Sequence, residues 1–209
     1  MGPDGVGKTT QARLLEKTYR AKGIPATYVW MRFHHMFSLP LLGLARLLGL
    51  TEVQRLTSGG TASNHHFNRV RPVAVAYACS LLFDTMIASS VKVYLRLALG
   101  KTVICDRFIY DTLVDLMIST EQRDLVNSFV TRCFLLLAAQ AIAVMMMATP
   151  QTLRRRREDI REDRYLEWKI ELYSILSKKC GIPIIYSDGP VQQVHLSIIR
   201  AVNEAMVSG

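Results

Sequence analysis

The sequence predicts an α/β fold, a parallel sheet with helices on both faces, and three observations carry that prediction. A glycine-rich loop opens directly into a helix at Lys8. Short apolar or β-branched runs, "IPATYVWMRF", "KTVICDRF", "AIAVMMMA" and "GIPIIYSDG", recur along the chain. Stretches of helical periodicity separate them, and strands that alternate with helices at this spacing pair in parallel, each crossover laying a helix on the sheet.

From Lys8 to Lys22 the apolar positions Ala12, Leu15 and Tyr19 recur at helical steps, with Leu14 widening the stripe and Gly23 supplying the stop. "IPATYVWMRF" reads as a strand ending near Arg32. "MFSLPLLGLARLLGL", residues 36–50, is apolar almost all round and broken by Pro40 and Gly43, which fits a buried helix pair, a dimer face or a membrane-touching flap. Turn formers in residues 51–69 predict a mobile loop. A long helix is expected from Pro72 to Leu99, stopped by Gly100. "KTVICDRF" gives a strand ending at Asp106, followed by a helix through about Leu137 and the strand "AIAVMMMA", closed by Thr149 and Pro150. The stretch "RRRREDIREDR" continues into a helix with Leu166, Ile170, Tyr173 and Leu176 on its apolar side. After the last strand, Pro190 opens a helix that aligns Val191, Val194, Ile198, Val202 and Ala205.

A chain of 209 residues, 50% hydrophobic, has the size of one domain with an inserted lid, so residues 1–209 are read as a single unit. The formal charge of +9 favours anionic partners such as nucleotides, nucleic acid or acidic membrane surfaces. Cys79, Cys105, Cys133 and Cys180 form no C-x-x-C pair, which argues against a zinc site or a disulfide framework and for buried reduced thiols in a cytoplasmic protein. The start has no apolar core of a signal peptide. The longest apolar run, Phe134 to Ala148, falls short of the about 18 residues of a membrane span and contains Gln140. The pairs His34–His35 and His65–His66 lack a carboxylate or cysteine that would complete a familiar metal pattern, and read as surface or substrate-loop residues.

The chemistry concentrates in three places. "GPDGVGKTT" fits G-x-x-x-x-G-K-[ST], with Gly2, Gly7, Lys8 and Thr9 at the fixed positions and Asp4, Gly5, Val6 and Thr10 completing the loop. In such a loop the backbone N–H groups wrap a phosphate, the lysine reaches its outer oxygens and the hydroxyl meets Mg²⁺. The helix that follows adds its dipole. "VICDR" puts Asp106 at the carboxyl end of a strand, the edge that faces ligands in doubly wound sheets, where it can reach a metal or its waters while Arg107 grips an acceptor phosphate. Arg154, Arg155, Arg156, Arg157, Arg161 and Arg164 crowd eleven residues, interleaved with acids. A solvated helix with pairs such as Arg154 with Glu158 is one reading of that stretch. The favoured one is a lid, about residues 151–165, delivering an arginine to a transferred phosphoryl group.

Taken together these residues resemble the thymidylate kinase family of nucleoside monophosphate kinases. The resemblance rests on "GPDGVGKTTQ", on "LLF" ending at Phe83, on "GKTVICDRF" and on the arginine-rich segment after "ATP" at Ala148 to Pro150. It implies a three-layer P-loop kinase fold and phosphoryl transfer from ATP, with Mg²⁺, to a nucleoside monophosphate, dTMP foremost. It also implies that Asp4 touches the acceptor's sugar, that Arg32 and Arg107 hold its phosphate, that Phe83 stacks on its base, and that residues 32–90 form the acceptor region. Lys8, Asp106 and Arg107 would be catalytic, and Thr9 and Asp106 would hold the metal. Some members carry an arginine where this chain has Gly5. The others take it from the lid, which points to Arg155, Arg157, Arg161 or Arg164, with Arg157 and Arg161 foremost. A homodimer follows from the likeness alone.

Two departures stand out. After "LLF" the family has an arginine and a glutamine that read thymine, whereas this chain has "DTMIASS", with Ile87 and Ser89 near those places, and Ile87 cannot donate to a base carbonyl. Arg69 or Arg71 could substitute. The strand that precedes the phosphate loop is missing, so the expectation is a chain numbered from an internal methionine of a longer protein. Two other readings stay open: a kinase of another small acceptor, and an ATP-binding, membrane-peripheral module without turnover. Nucleic acid is disfavoured, because the arginines gather where a lid belongs and not along an aromatic-studded strand surface.

Overall fold

The computed structural model describes residues 1–32, 36–55 and 61–208. It is a mixed α/β structure, mostly helical, with a small amount of parallel sheet. Helix α1 (Lys8–Ala21) begins at Gly7, whose φ of 96° is open to glycine alone at little cost. Strand β1 (Ala26–Trp30) stops two residues before the expected end and pairs in parallel with β4 (Thr102–Asp106), Ala26 opposite Thr102 and Trp30 opposite Asp106. A second parallel pair joins β5 (Met145–Met147) to β6 (Ile184–Tyr186).

Consecutive methionines of β5 face opposite ways, as a strand's period of two requires. Met145 and Met147 enter a core with Leu113, Phe134, Leu172 and Leu176, whereas Met146 enters another with Val6, Ile104, Leu153 and Ile198. The strand is therefore buried on both faces, and so reads in sequence as an uninterrupted apolar run.

Residues 36–50 form one helix and not a pair: α2 (Ser38–Leu47) runs through Pro40 and Gly43. Pro40 sits in the first turn, where its missing N–H would have no helical partner. Ser38 and Ala45 are buried, but Leu39, Leu44 and Leu47 are exposed. Asp84 of α3 (Arg71–Ser89) anchors the start of α2, accepting from the Phe37 and Ser38 amides at 2.8 and 3.0 Å and from Ser38 Oγ at 2.6 Å. A carboxylate at a helix amino end satisfies orphan donors and the dipole together.

The mobile loop expected over residues 51–69 is corrected by β2 (Thr51–Arg55) and β3 (Thr61–His65), which pair antiparallel, and by a 3₁₀ turn at Phe67–Arg69. Pairing gives these backbone groups partners that turn-forming residues alone would leave to water. The expected helix from Pro72 is present: α3 passes through a π turn at Ser90–Tyr94 into α4 (Leu95–Ala98). Among the described residues this stretch, Arg71–Ala98, is long and apolar enough to cross a membrane, and it packs here against α2 and α6 (Phe129–Leu136).

The long helix expected after Asp106 is broken. It comprises α5 (Ile109–Thr120), a 3₁₀ turn at Arg123–Asn127, and α6. Glu121, with φ 51°, ends the first piece and Ser128 Oγ caps the last, accepting from the Thr131 amide at 3.2 Å. The arginine-rich stretch divides into α7 (Pro150–Arg156) and α8 (Glu158–Arg161), parted by extended backbone at Arg157, before α9 (Leu166–Cys180). Helix α10 (Val191–Ser208) buries Val194, Ile198 and Val202, but Val191 is exposed. All four cysteines are free thiols, and the expectation of burial is corrected for each: Cys79 is exposed and Cys105, Cys133 and Cys180 are half-buried.

Candidate functional site

The glycine loop is held by close backbone approach. A Cβ on Gly2, where φ is 139°, would stand 2.0 Å from the Met146 carbonyl oxygen, so only glycine fits against β5. Val6 is buried and pins the loop's far side in the core that holds Met146. Gly5 faces the arginine-rich segment: its Cβ would meet Ile160 Cδ1 at 3.0 Å and Arg157 Cδ at 3.6 Å. The space that an arginine at position 5 would use is thus taken by the segment expected to act as a lid.

Thr9 and Asp106, expected to act together, are joined directly. Thr9 Oγ1 donates to Asp106 Oδ2 at 2.5 Å, and Tyr28 OH from β1 donates to the same oxygen at 2.8 Å. Burial first, then that bond to Asp106, pushes the Tyr28 hydroxyl up to about 12, so it stays a proton donor. Asp106 is 1% exposed, and its Oδ1 has no hydrogen-bond partner. A buried carboxylate oxygen without a partner is costly unless something occupies it. With a threonine hydroxyl beside it, the donor set is all oxygen, which suits Mg²⁺ completed by water and phosphate oxygens. Among the described residues no cluster of three or more His, Cys, Asp or Glu side chains offers a ready-made metal cage.

A second group of charges lies beside the loop. Asp4 meets Arg107 Nη2, Arg32 Nη1 at 3.5 Å and Lys8 Nζ at 3.5 Å. Burial alone would raise the Asp4 carboxyl, but Lys8, then Arg107 and Arg32, hold it well below the usual carboxylate range. Lys8 Nζ also donates to the carbonyls of Gly2 and of Pro3, the latter at 2.8 Å, and stands 3.9 Å from Asp111. Burial lowers the Lys8 ammonium, against the pull of Asp111 and Asp4. Arg107 reaches this group from a left-handed backbone with φ 60°, a conformation that costs a non-glycine residue about 1 kcal/mol or more.

The structure thus gathers Asp4, Lys8, Arg32 and Arg107 in one cluster and Thr9 with Asp106 beside it. Thr10 is exposed on α1. Phe83 is half-exposed and meets Phe37 edge to face, with centroids 5.1 Å apart; among the described residues no hydrogen bond, ion pair or ring contact ties it to the charged cluster. The arginines of the expected lid are spread over several acids and carbonyls. Arg157 forms a two-pronged pair with Asp159 at 2.9 and 2.6 Å, Arg161 donates to the Arg154 carbonyl at 3.3 Å, and Arg154 pairs with Glu167 and not with Glu158. Arg164 pairs with Glu52 of β2 at 2.6 Å. His66 bonds Glu121 and Glu52; His34, His35 and the side chain of His65 lie outside the described residues.

Four participants escaped sequence reasoning: Tyr28, Asp111, Asp115 and Tyr173. Asp111 is the most connected, accepting from the Gly2 amide at 3.4 Å, Tyr173 OH at 2.8 Å and the Phe108 amide at 3.2 Å. It stands at the third position of α5 and accepts from the amide of the N-cap residue Phe108, but phenylalanine has no side-chain acceptor, so the Ser/Thr-x-x-Glu signal of a capping box is absent from the sequence. Asp115, one helical turn on, lies 3.8 Å from Arg32 Nε, with burial raising its carboxyl.

No protein-family model matches this chain, and no curated protein matches it.

Proposed function

We propose that this protein transfers a phosphoryl group from ATP to a nucleoside monophosphate, with dTMP the first acceptor to try. The single observation that carries the reading is the Thr9–Asp106 pair, 2.5 Å apart at the amino end of α1, with a buried Asp106 oxygen left without a partner. Thr9 and Asp106 would hold Mg²⁺, which when bound neutralises phosphate charge. Lys8 now folds onto the loop's own carbonyls; a phosphate entering the loop would offer it oxygens of opposite charge in their place. The N–H groups at Gly7 and Lys8 and the dipole of α1 favour the same anion.

Arg107 and Arg32, both held by Asp4, form the cationic wall suited to the acceptor's phosphate. Arg157 is the lid arginine nearest Gly5 and is the one we assign to charge that develops on the transferred group. Closure of the arginine-rich segment would keep water from the reacting phosphate. A coupled assay of ADP release across the common nucleoside monophosphates tests the reading. ADP formed only in the presence of one of them supports it, and no turnover with any removes it.

A second acceptor class is favoured by one observation. Asp115, a carboxylate beside Arg32, would accept hydrogen bonds from hydroxyl or amino groups, and Ile87 stands where a thymine reader is expected. The same assay with phosphorylatable amines, sugars and alcohols separates that reading from the first.

A further inference from the structure

Tyr28 reaches Asp106 across the β1–β4 ladder, and the register explains how. Tyr28 lies opposite Ile104, and Asp106 stands two residues further along β4. Residues two apart on a strand share a face, so Tyr28 and Asp106 are diagonal neighbours, a separation that an aromatic side chain spans. One stripe of α1 holds the tyrosine in that pose. Thr9, Arg13 and Glu16 recur at helical steps and face the ladder together. Thr9 Oγ1 donates to Asp106, Arg13 Cζ lies 4.1 Å from the centre of the Tyr28 ring, and Glu16 Oε1 accepts from the Tyr28 amide at 3.0 Å. A cation over the ring face and a hydrogen bond at the backbone leave the hydroxyl one direction in which to point.

The outcome is a carboxylate whose two oxygens are unlike. A carboxylate oxygen offers two lone-pair sites. Oδ2 of Asp106 has both in use, accepting from Thr9 at 2.5 Å and from Tyr28 at 2.8 Å. Oδ1, equally buried, has no hydrogen-bond partner among the described residues.

We infer that Tyr28 selects the ion: by holding Oδ2 it leaves Asp106 a single oxygen, Oδ1, for a divalent cation, and so favours Mg²⁺ over Ca²⁺. This rests on the reading in which Thr9 and Asp106 hold the metal, and adds a choice between ions that the reading does not contain. Mg²⁺ is small and demands near-ideal octahedral geometry, whereas Ca²⁺ accepts more oxygens, irregular angles and both oxygens of one carboxylate. The two oxygens of one carboxylate subtend too narrow an angle for an octahedron. Withholding the second oxygen therefore costs Ca²⁺ a ligand and costs Mg²⁺ none. Tyr28 is a positioning residue, since it acts through Asp106, and partners that orient a ligating carboxylate in this way set metal affinity.

Tyr28→Phe tests this, because it removes the hydroxyl and keeps the ring under Arg13. Mn²⁺ binding in the presence of ADP is read from the paramagnetic resonance signal of the free ion, and Mg²⁺ or Ca²⁺ is added in competition. Turnover plays no part, so failure here is separable from failure of the kinase reading. In Tyr28→Phe the affinity for Mg²⁺ is expected to fall about 10-fold while that for Ca²⁺ is unchanged or tighter. The metal-free Tm should stay within about 2 °C of the native value. A second measurement needs only the native chain and Asp106→Asn, which assigns the Asp106 band in infrared difference spectra. The native chain should show the wide carboxylate splitting of single-oxygen binding with Ca²⁺ as with Mg²⁺. Equal loss of both ions, an unchanged ratio between them, two-oxygen binding of Ca²⁺ by the native chain, or no Mn²⁺ bound by it, overturns the inference.

Discussion

Thr9 Oγ1 donates to Asp106 Oδ2 across 97 residues of sequence, and that 2.5 Å bond joins the first turn of α1 to the carboxyl end of β4. It sets a hydroxyl and a carboxylate side by side at a loop rich in N–H donors, while Tyr28 fixes the rotamer of the carboxylate from the neighbouring strand.

Asp106→Asn keeps an acceptor for Thr9 and Tyr28 but removes the charge. In the ADP-release assay kcat is expected to fall about 10²- to 10³-fold. Without nucleotide the variant should melt at the same temperature or higher, since a buried carboxylate oxygen without a partner is destabilising. Retained activity would remove Asp106 from the metal role.

Gly2→Ala and Gly5→Ala should differ sharply. At Gly2 the new carbon meets a backbone oxygen at 2.0 Å, which cannot move without β5, so the loss in denaturant titration is about 3 kcal/mol or more. At Gly5 the neighbour is the flexible tip of Ile160, and the cost is about 1 kcal/mol, mostly from the positive φ.

Asp4 sets an acid limit on stability. Its carboxyl is held lower in the fold than in the unfolded chain, so its contribution is present above the ordinary aspartate range, near pH 4, and is lost as pH falls toward the folded value. Lys8 is shifted below the usual lysine value, so its unfolded state binds more protons in the alkaline range and stability there rises with pH. Urea titrations from pH 5 to pH 2 should show a steeper decline for the native chain than for Asp4→Asn.

Arg157→Ala is expected to lower kcat about 10³-fold with little change in KM for ATP, because its assigned role lies in the transition state. Arg154→Ala, which breaks only an exposed pair with Glu167, should stay within about threefold of the native rate. Comparable losses in both would assign the segment a structural role only.

Asp115→Asn removes a carboxylate 3.8 Å from Arg32. If the acceptor presents hydroxyl or amino donors there, KM for the acceptor rises about 10-fold while KM for ATP is unchanged. Unaltered acceptor KM would leave Asp115 as a partner of Arg32 alone.

Much of this was legible because it is local. Spacing alone placed the loop at Gly2 to Thr9, the helix that follows it, and Asp106 at a strand end. Periodicity located α1, α3, α9 and α10. It failed between residues 51 and 69, where turn-forming composition concealed a pair of short strands, and after Asp106, where apolar residues on both sides of Glu121 masked a left-handed break. Tertiary pairing and a single backbone angle decided those places, and neither leaves a period in the sequence.

By itself the sequence determined which residue types stand near one another along the chain, hence the local turns, the helix beginning at a glycine loop and the strands apolar enough for burial. Only the tertiary structure decided that Asp4 would pair with Lys8, Arg32 and Arg107 together, that Asp111 would hold Gly2, that Gly5 would face Arg157, and that a cavity of about 530 Å³ would lie beside Met1. The reason is range: backbone preference acts over a few residues, whereas charge pairing and packing act between surfaces that meet only once the sheet has formed.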